Sequence, residues 1–149
     1  MTKETKNTES KIFVDTDVII DLLIDRLPFA NSASKIFDLA DKKKIKLCTS
    51  TLCINNVYYI VRKIHDDKKT RNVISDLLEI VDILSVTKSD ILNALESDFK
   101  DFEDATQHSV ALSKKNINVI LTRNTKDYKK SKIAVFTPET LMKMLLNEG

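Results

Sequence analysis

Glycine is almost absent from this chain: its only glycine is Gly149, the last of 149 residues. Phosphate-cradling loops and dinucleotide-binding fingerprints need glycine where the backbone approaches a phosphate group. The sequence therefore argues against the ordinary nucleotide-binding enzymes. It also has no apolar run near the ~20 residues that are needed to cross a bilayer, so we expect no membrane partner.

Cysteine and histidine are also scarce. The chain contains Cys48, Cys53, His65 and His108 and no others of either type, and their spacing does not match a zinc-binding motif. We therefore expect no structural zinc. Without an export signal the two thiols should stay reduced, and we expect both to be half-buried.

The length and the apolar content predict one domain. A chain of 149 residues with 42% hydrophobic residues can form a single ordinary core. Residues 1–10 are polar and have no apolar segment behind their charges, unlike a secretion signal. We predict a flexible N-terminal tail at 1–10, a single domain at 11–149 and a cytoplasmic location.

Basic residues do not dominate the charge. The chain has 24 basic and 22 acidic residues, a net charge of +2, and so lacks the global positive charge of many nucleic-acid-binding proteins. The basic clusters at 42–46 and 68–71 are best interpreted as solvated faces. The cluster at 122–132 differs because it surrounds a candidate site carboxylate.

Hydrophobic periodicity predicts alternating strands and helices. KIFV at 11–14 is rich in β-branched and aromatic residues, and Val18, Ile19, Leu22 and Leu23 follow at helical spacing. This alternation indicates the α/β class, with a mostly parallel sheet and helices on both faces. We predict further strands at 45–49, 81–86, 118–122 and 133–137, and further helices at 29–42, 50–65, 70–81, 89–96, 99–115 and from Pro138 onwards.

Carboxylates follow the first and fourth predicted strands and also begin a helix. Asp15 would end the first strand, Asp127 would lie in the loop after the fourth, and Asp101 and Asp104 would share one helix face. Local explanations exist, with Asp17 or Asp101 as a helix cap and Asp127 as a turn residue. In a doubly wound sheet, however, strands one and four are neighbours where the strand order reverses, so these carboxylates should meet at one edge.

Such a cluster of acids predicts a metal site. Crowded carboxylates repel one another unless protons or a cation compensate them. Oxygen ligands without histidine or thiolate favour Mg²⁺ or Mn²⁺. The sequence therefore predicts a Mg²⁺ or Mn²⁺ site that is suited to phosphate chemistry.

Four segments of the chain resemble the PIN domain, a nuclease family that includes the VapC-type toxins of toxin-antitoxin pairs. They are KIFVDTDVIIDLLIDRLPF, STLCINNVYYIVRK, DFEDATQHSVALSKKNINVILTRNTKDY and AVFTPETLM. The most specific feature is the combination of DFEDA with ILTRNTKDY. The resemblance implies a three-layer α/β/α fold around a sheet of about five strands. It also implies a Mg²⁺- or Mn²⁺-dependent endoribonuclease that acts on RNA, forms a homodimer and pairs with an antitoxin protein.

The resemblance also implies roles for individual residues, by motif position. Catalytic roles fall to Asp15, Asp104 and Asp127, and the same three residues with Asp101 would bind metal. Supporting roles fall to Asp17, Asn56, Thr122 and Asn124. Apart from the motif, the positive charges of Arg123, Lys126, Lys129 and Lys130 should lie near the pocket, and we expect them to attract the RNA backbone.

Asn56 is a departure from the family pattern. Many members have a glutamate in the helix after the second strand, and Asn56 stands at that place. An amide can offer an oxygen or hold a water, but it cannot supply negative charge. The sequence therefore keeps open an alternative, a catalytically weakened PIN-fold module that binds RNA or protein.

Two further alternatives concern the middle of the chain. A receiver-like phosphoacceptor domain needs an aspartate at the end of a middle strand, but the predicted strands there end at Thr49 and Val86.

The helix with Tyr58, Tyr59 and Ile60 has a broad apolar face. We expect burial within the domain, with a surface for self-association or for an antitoxin as the alternative.

Overall fold

A computed structural model describes residues 10–148 of the chain. The predicted tail at 1–10 lies outside the described residues except for Ser10. No helix within the described range is long and apolar enough to span a membrane. The strands are β1 (Lys11–Val14), β2 (Leu47–Ser50), β3 (Val81–Leu84), β4 (Ile117–Leu121) and β5 (Ala134–Phe136). The α-helices are α1 (Thr16–Leu23), α2 (Ala30–Asp41), α3 (Thr51–Val61), α4 (Asp67–Leu77), α5 (Lys88–Glu96), α6 (Phe102–Leu112) and α7 (Pro138–Glu148), with a 3₁₀ helix at Thr125–Tyr128.

The five strands form one parallel sheet in the order β3-β2-β1-β4-β5. The chain first adds strands on one side of β1 and then crosses to add β4 and β5 on the other. Val14 at the end of β1 pairs with Leu121 at the end of β4. The predicted neighbourhood of strands one and four is therefore confirmed, and the strand order reverses between them.

The sheet separates two hydrophobic cores, as the alternation along β1 shows. Val14 packs into a core built with residues from α1, α2, α3, α4 and α7, whereas Phe13 packs into a second core with residues from α6. Helix α5 packs against α6 on that second side. This arrangement confirms the predicted three-layer α/β/α fold.

Several element boundaries differ from prediction by up to four residues, and a side-chain cap explains the difference at the following two. Helix α4 begins at Asp67 and not at residue 70, since the Asp66 carboxylate accepts a hydrogen bond from the Lys69 amide at 2.8 Å. Strand β3 ends at Leu84 and not at residue 86, since Thr87 and Asp90 form a capping box that starts α5.

The expectation of half-buried thiols is wrong. Cys48 and Cys53 are free and fully buried. Burial raises the pKa of Cys48 to about 12 and that of Cys53 to about 11, so neither thiol forms a reactive thiolate at neutral pH.

The apolar face of α3 is narrower than its sequence suggests. Cys53, Val57 and Val61 are buried, but the side chains of Tyr59 and Ile60 are 63% and 37% exposed. The expectation of burial is therefore wrong for Tyr59 and Ile60, which lie on the surface.

A buried ion pair connects α1 to Arg123, the second residue after β4. Asp21 is 1% exposed. Its carboxylate accepts hydrogen bonds from Arg123 Nε at 2.6 Å and from Arg123 Nη2 at 3.2 Å. The Arg123 guanidinium also lies 4.0 Å from the centre of the Phe29 ring. These contacts hold the start of the loop after β4 against α1.

We predict that Asp21→Asn lowers the free energy of unfolding by about 3 kcal/mol, because it leaves the Arg123 guanidinium without its buried counter-charge. Urea unfolding of the two proteins measures the difference. Asp38→Asn is the matched control, since Asp38 forms an exposed pair with Lys42 at 2.9 Å and should change stability by less than about 1 kcal/mol. Equal effects of the two substitutions would contradict the prediction.

Candidate metal centre

Asp15 lies between β1 and α1 and caps the helix. Its Oδ1 accepts a hydrogen bond from the Thr16 amide at 2.8 Å. The interpretation of Asp17 as the cap is therefore wrong, because Asp15 occupies that position. Asp17 turns instead towards the end of β4, where its Oδ2 accepts a hydrogen bond from the Arg123 amide at 3.0 Å.

Residues after β4 orient both carboxylates from behind. Thr122 Oγ1 lies 3.0 Å from Asp15 Oδ2 and 3.3 Å from Asp17 Oδ2, so one hydroxyl contacts both. Tyr128 is buried, and its hydroxyl donates to Asp15 Oδ2 at 3.2 Å. The backbone N–H of Asn124 donates to Thr122 Oγ1 at 3.1 Å. The pairing of β1 with β4 therefore positions the acids that follow β1.

The start of α6 contributes the other acids. Asp101 is the N-cap, and its Oδ1 accepts a hydrogen bond from the Asp104 amide at 2.9 Å. This agrees with the local explanation of Asp101 as a cap. Glu103, one residue before Asp104, accepts a hydrogen bond from Asn56 Nδ2 of α3 at 2.8 Å.

These elements surround one pocket of about 290 Å³ at the carboxyl edge of β1 and β4. Its lining contains six carboxylates and, among the described residues, a single basic side chain, that of Arg26. The lining residues are Asp15, Thr16, Asp17, Ile20, Arg26, Ile60, Asp101, Glu103, Asp104, Asn124 and Asp127.

Burial and mutual repulsion raise the pKa of the acids. Burial, and then the charge of Asp17, raise the pKa of Asp15 to about 7. Burial, and then the charges of Asp15 and its other acidic neighbours, raise the pKa of Asp104 to about 7. Burial is also the main cause that raises the pKa of Asp17 and of Glu103. The pocket therefore concentrates negative charge that the protein alone does not neutralise.

The donor set fits a hard divalent cation. Asp17 lines the pocket, and its Oδ1 is buried without a hydrogen-bond partner. A buried polar atom of this kind is costly unless a ligand satisfies it, and carboxylate oxygens are the ligands that Mg²⁺ and Mn²⁺ prefer. Within residues 10–148, no three histidine, cysteine or acidic side chains lie close enough to chelate one ion as they stand. The acids therefore share one pocket without forming a ready-made chelate.

The structure brings most of the predicted site residues together. Asp15, Asp101, Asp104 and Asp127, predicted as catalytic or metal-binding, all line the pocket. Of the predicted supporting residues, Asp17 and Asn124 line it as well. Thr122 lies behind the pocket as a buried hydrogen-bond partner, and Asn56 lies behind Glu103.

The basic residues predicted to contact RNA are dispersed. The Arg123 guanidinium is engaged by buried Asp21 and does not line the pocket. Lys130 lines a different hollow, of about 450 Å³, beside His108. Lys126 and Lys129 are exposed at the 3₁₀ helix and just after it.

Three residues of the site are not predicted from the sequence: Glu103, Arg26 and Tyr128. Glu103 stands inside the motif DFEDA, but adjacent helix residues do not face each other, so the pattern does not predict that Glu103 shares a pocket with Asp104. Arg26 lies in the loop after α1, where no periodic pattern indicates a direction. The tyrosine in NTKDY was a usable signal, because a buried phenol usually needs a hydrogen-bond partner.

The fold and the pocket define an α/β protein with an acidic ligand site at the switch point of a parallel sheet. A family model described as PIN domain matches residues 11–126. Ribonuclease VapC1 of Aquifex aeolicus (strain VF5) is 31% identical over 134 residues, which cover 87% of this chain and 91% of that protein. The chain belongs to the PIN domain family.

Solved structures share the fold at low sequence identity. VapBC2 from Rickettsia felis, bound to a DNA fragment from its promoter, matches with a TM-score of 0.64 and 14% identity over 85% of this chain and 98% of that one. A toxin-antitoxin complex from Klebsiella pneumoniae matches with a TM-score of 0.64 and 22% identity over 85% of this chain and 97% of that one. Both similarities are similarities of fold.

We predict that the stability of Asp104→Asn relative to wild type increases as the pH rises from about 4 to about 7. The pKa of Asp104 is about 7 in the folded protein against an ordinary 3.8. The folded wild type therefore holds a proton in this window that the unfolded chain has released, and its free energy of unfolding falls as the pH rises. The amide is not subject to this loss.

Urea unfolding in the presence of a chelator measures this difference across the pH window. Asp98→Asn is the control, because Asp98 is exposed and lies outside the acidic pocket. A relative stability of Asp104→Asn that stays constant or falls with rising pH would contradict the prediction.

Proposed function

We propose that this chain is a Mg²⁺- or Mn²⁺-dependent endoribonuclease and the toxin of a toxin-antitoxin pair. The observation that supports this most directly is the acidic pocket between β1 and β4, in a PIN-domain chain that is 31% identical to Ribonuclease VapC1. A pocket with six carboxylates and one guanidinium repels a phosphodiester unless a cation is present. The proposed reaction is hydrolysis of an RNA phosphodiester bond.

Asp15, Asp101, Asp104 and Asp127 would hold the ion, with Asp17 beside them. When bound, a divalent ion lowers the pKa of a water and offsets the charge that develops on a phosphate. The chain itself supplies orientation. Thr122 and Tyr128 hold the Asp15 carboxylate in one direction through hydrogen bonds at 3.0 and 3.2 Å.

Arg26 is the residue that we propose to contact the scissile phosphate. Its Nη1 lies 3.6 Å from Asp21 Oδ1, and its side chain is 42% exposed. Arg123 already neutralises Asp21 through two shorter contacts. The positive charge of Arg26 can therefore interact with a substrate phosphate. Lys126 and Lys129, both exposed, are proposed to contact the RNA backbone further from the pocket.

An antitoxin protein is the proposed regulatory partner, and we also propose a homodimer in the cytoplasm. The fold similarity to a toxin-antitoxin complex from Klebsiella pneumoniae supports the first proposal. Exposed Tyr59 and Ile60 on α3 support a protein-binding surface, and Ile60 also lines the pocket. A partner that covers this part of α3 would therefore lie beside the site.

Asp15→Asn should lower Mn²⁺-dependent RNA cleavage by roughly 100-fold or more, because it removes a charge that would hold the ion. Cleavage of RNA is measured with Mn²⁺, with Mg²⁺ and after chelation. Asp38→Asn, an exposed change on α2, is the control and should leave cleavage at the wild-type level.

Two results would reject the enzyme. One is equal cleavage by wild type and Asp15→Asn, and the other is cleavage that survives chelation. Binding of RNA or protein without any metal-dependent cleavage would favour the alternative, a PIN-fold binding module.

Arg26→Ala should raise the KM for RNA about tenfold, the effect of losing a charge-assisted contact of roughly 1.4 kcal/mol. It should not unfold the protein, because Asp21 keeps its shorter pair with Arg123. Lys35→Ala, an exposed change on α2, is the control for the loss of one positive charge. An unchanged KM in Arg26→Ala would remove Arg26 from the site.

A further inference from the structure

Asn56 and Glu103 form a contact between α3 and α6 beside the acidic pocket. Asn56 Nδ2 donates to Glu103 Oε2 at 2.8 Å. A carboxylate only accepts hydrogen bonds, so the amide must present its NH₂ group to it. Glu103 lines the pocket and Asn56 does not. The acidic group is therefore the one that faces the pocket, and the amide stands behind it.

A buried contact one helical turn away sets the register of the two helices. Gln107, one turn after Glu103 on α6, is fully buried. Its Nε2 lies 2.8 Å from Cys53 Sγ, and its Oε1 accepts a hydrogen bond from Ser50 Oγ at 2.6 Å. Cys53 is one turn before Asn56 on α3, so the two contacts are successive links between the same faces. The position of Glu103 is thus set by packing from within the fold.

Glu103 retains one oxygen for a ligand. Only Oε2 receives a hydrogen bond from a residue in the range 10–148, that from Asn56. The side chain is partly buried, in a pocket where Asp17 also has a buried Oδ1 without a hydrogen-bond partner. Two acids from different helices, α1 and α6, therefore have oxygen atoms that the protein does not satisfy. The Asp17 oxygen is buried and therefore indicates a cation as the missing partner. The second Glu103 oxygen has no hydrogen bond from the described residues and lies in the same pocket, where it can bind the same ion.

We propose that Glu103 supplies from α6 the metal-binding charge that Asn56 cannot supply from α3, and that Asn56 is a positioning residue that orients Glu103. The inference rests on the proposed metal site. It also explains how the pocket can keep its negative charge although Asn56 stands at the place of the family's glutamate. The negative charge is present in the pocket, but Glu103, the acceptor of the hydrogen bond, supplies it instead of the residue at position 56.

Isothermal titration calorimetry with Mn²⁺ alone tests the inference without an activity assay. Glu103→Gln should weaken Mn²⁺ binding by about tenfold or more, and Glu103→Ala should do the same. Asn56→Ala keeps the charge but frees the side chain, and should weaken binding less than Glu103→Gln does. Asp98→Asn, outside the pocket, should bind Mn²⁺ as the wild type does.

A reciprocal exchange provides the stringent test. In Asn56→Glu combined with Glu103→Gln, the amide and the carboxylate trade helices, and the hydrogen bond between them can re-form with reversed polarity. The double variant should recover Mn²⁺ affinity to within a few-fold of wild type, because the glutamate side chain at position 56 is one methylene longer than asparagine and stands where many family members have their glutamate. A merely structural role for Glu103 predicts no such recovery, because no affinity would have been lost.

The outcomes separate this inference from the proposed function. If Asp104→Asn loses Mn²⁺ binding while Glu103→Gln and Glu103→Ala bind as the wild type does, Glu103 is not a ligand and the inference is wrong, although the metal site stands. If the folded wild type does not bind Mn²⁺, both are wrong. Weaker Mn²⁺ binding in Glu103→Gln and Glu103→Ala, together with recovered binding in the double variant, supports the inference. Weaker binding in these variants without recovery in the double variant would show that a carboxylate at position 56 cannot replace that of Glu103, against the inference.

Discussion

Repulsion among carboxylates is the constraint on which the rest of this structure depends. Six acidic side chains line a pocket of about 290 Å³, and the pKa of both Asp15 and Asp104 is raised to about 7. Repulsion and burial both disfavour a charged carboxylate in this pocket. The surrounding fold must hold it there through contacts on the side away from the pocket.

Those contacts come from residues after β4, from α3 and from the start of α6. Thr122 and Tyr128, after β4, hold Asp15, and the Arg123 amide holds Asp17. The α6 acids are held by a cap at Asp101 and by the link from Asn56 to Glu103. Stability and site geometry are therefore coupled, because the buried Asp21 pair that stabilises α1 also fixes the start of the loop after β4.

The scarcity of glycine has a structural counterpart. The chain makes left-handed turns after α1 and α2 with Asp25 at φ 52° and Lys43 at φ 62°, where glycine would be favoured. A protein without glycine-rich loops lacks one common way to bind phosphate through backbone amides. The alternative that we propose for this chain is a pocket of side-chain carboxylates, which would need a cation to approach a phosphate.

The sequence alone determined the class of fold, the order of strands and helices, the strand end that is followed by Asp15, and the segment after β4 that contains Asp127. These features follow from local periodicity and from the rule that parallel strands place their carboxyl ends at one edge. It did not reveal that Arg123 turns away to Asp21, that Arg26 lines the pocket, or that Glu103 faces it. Only the tertiary structure decided these directions, because a side chain's direction depends on which groups from distant segments neutralise or crowd it, and a one-dimensional pattern does not contain those neighbours.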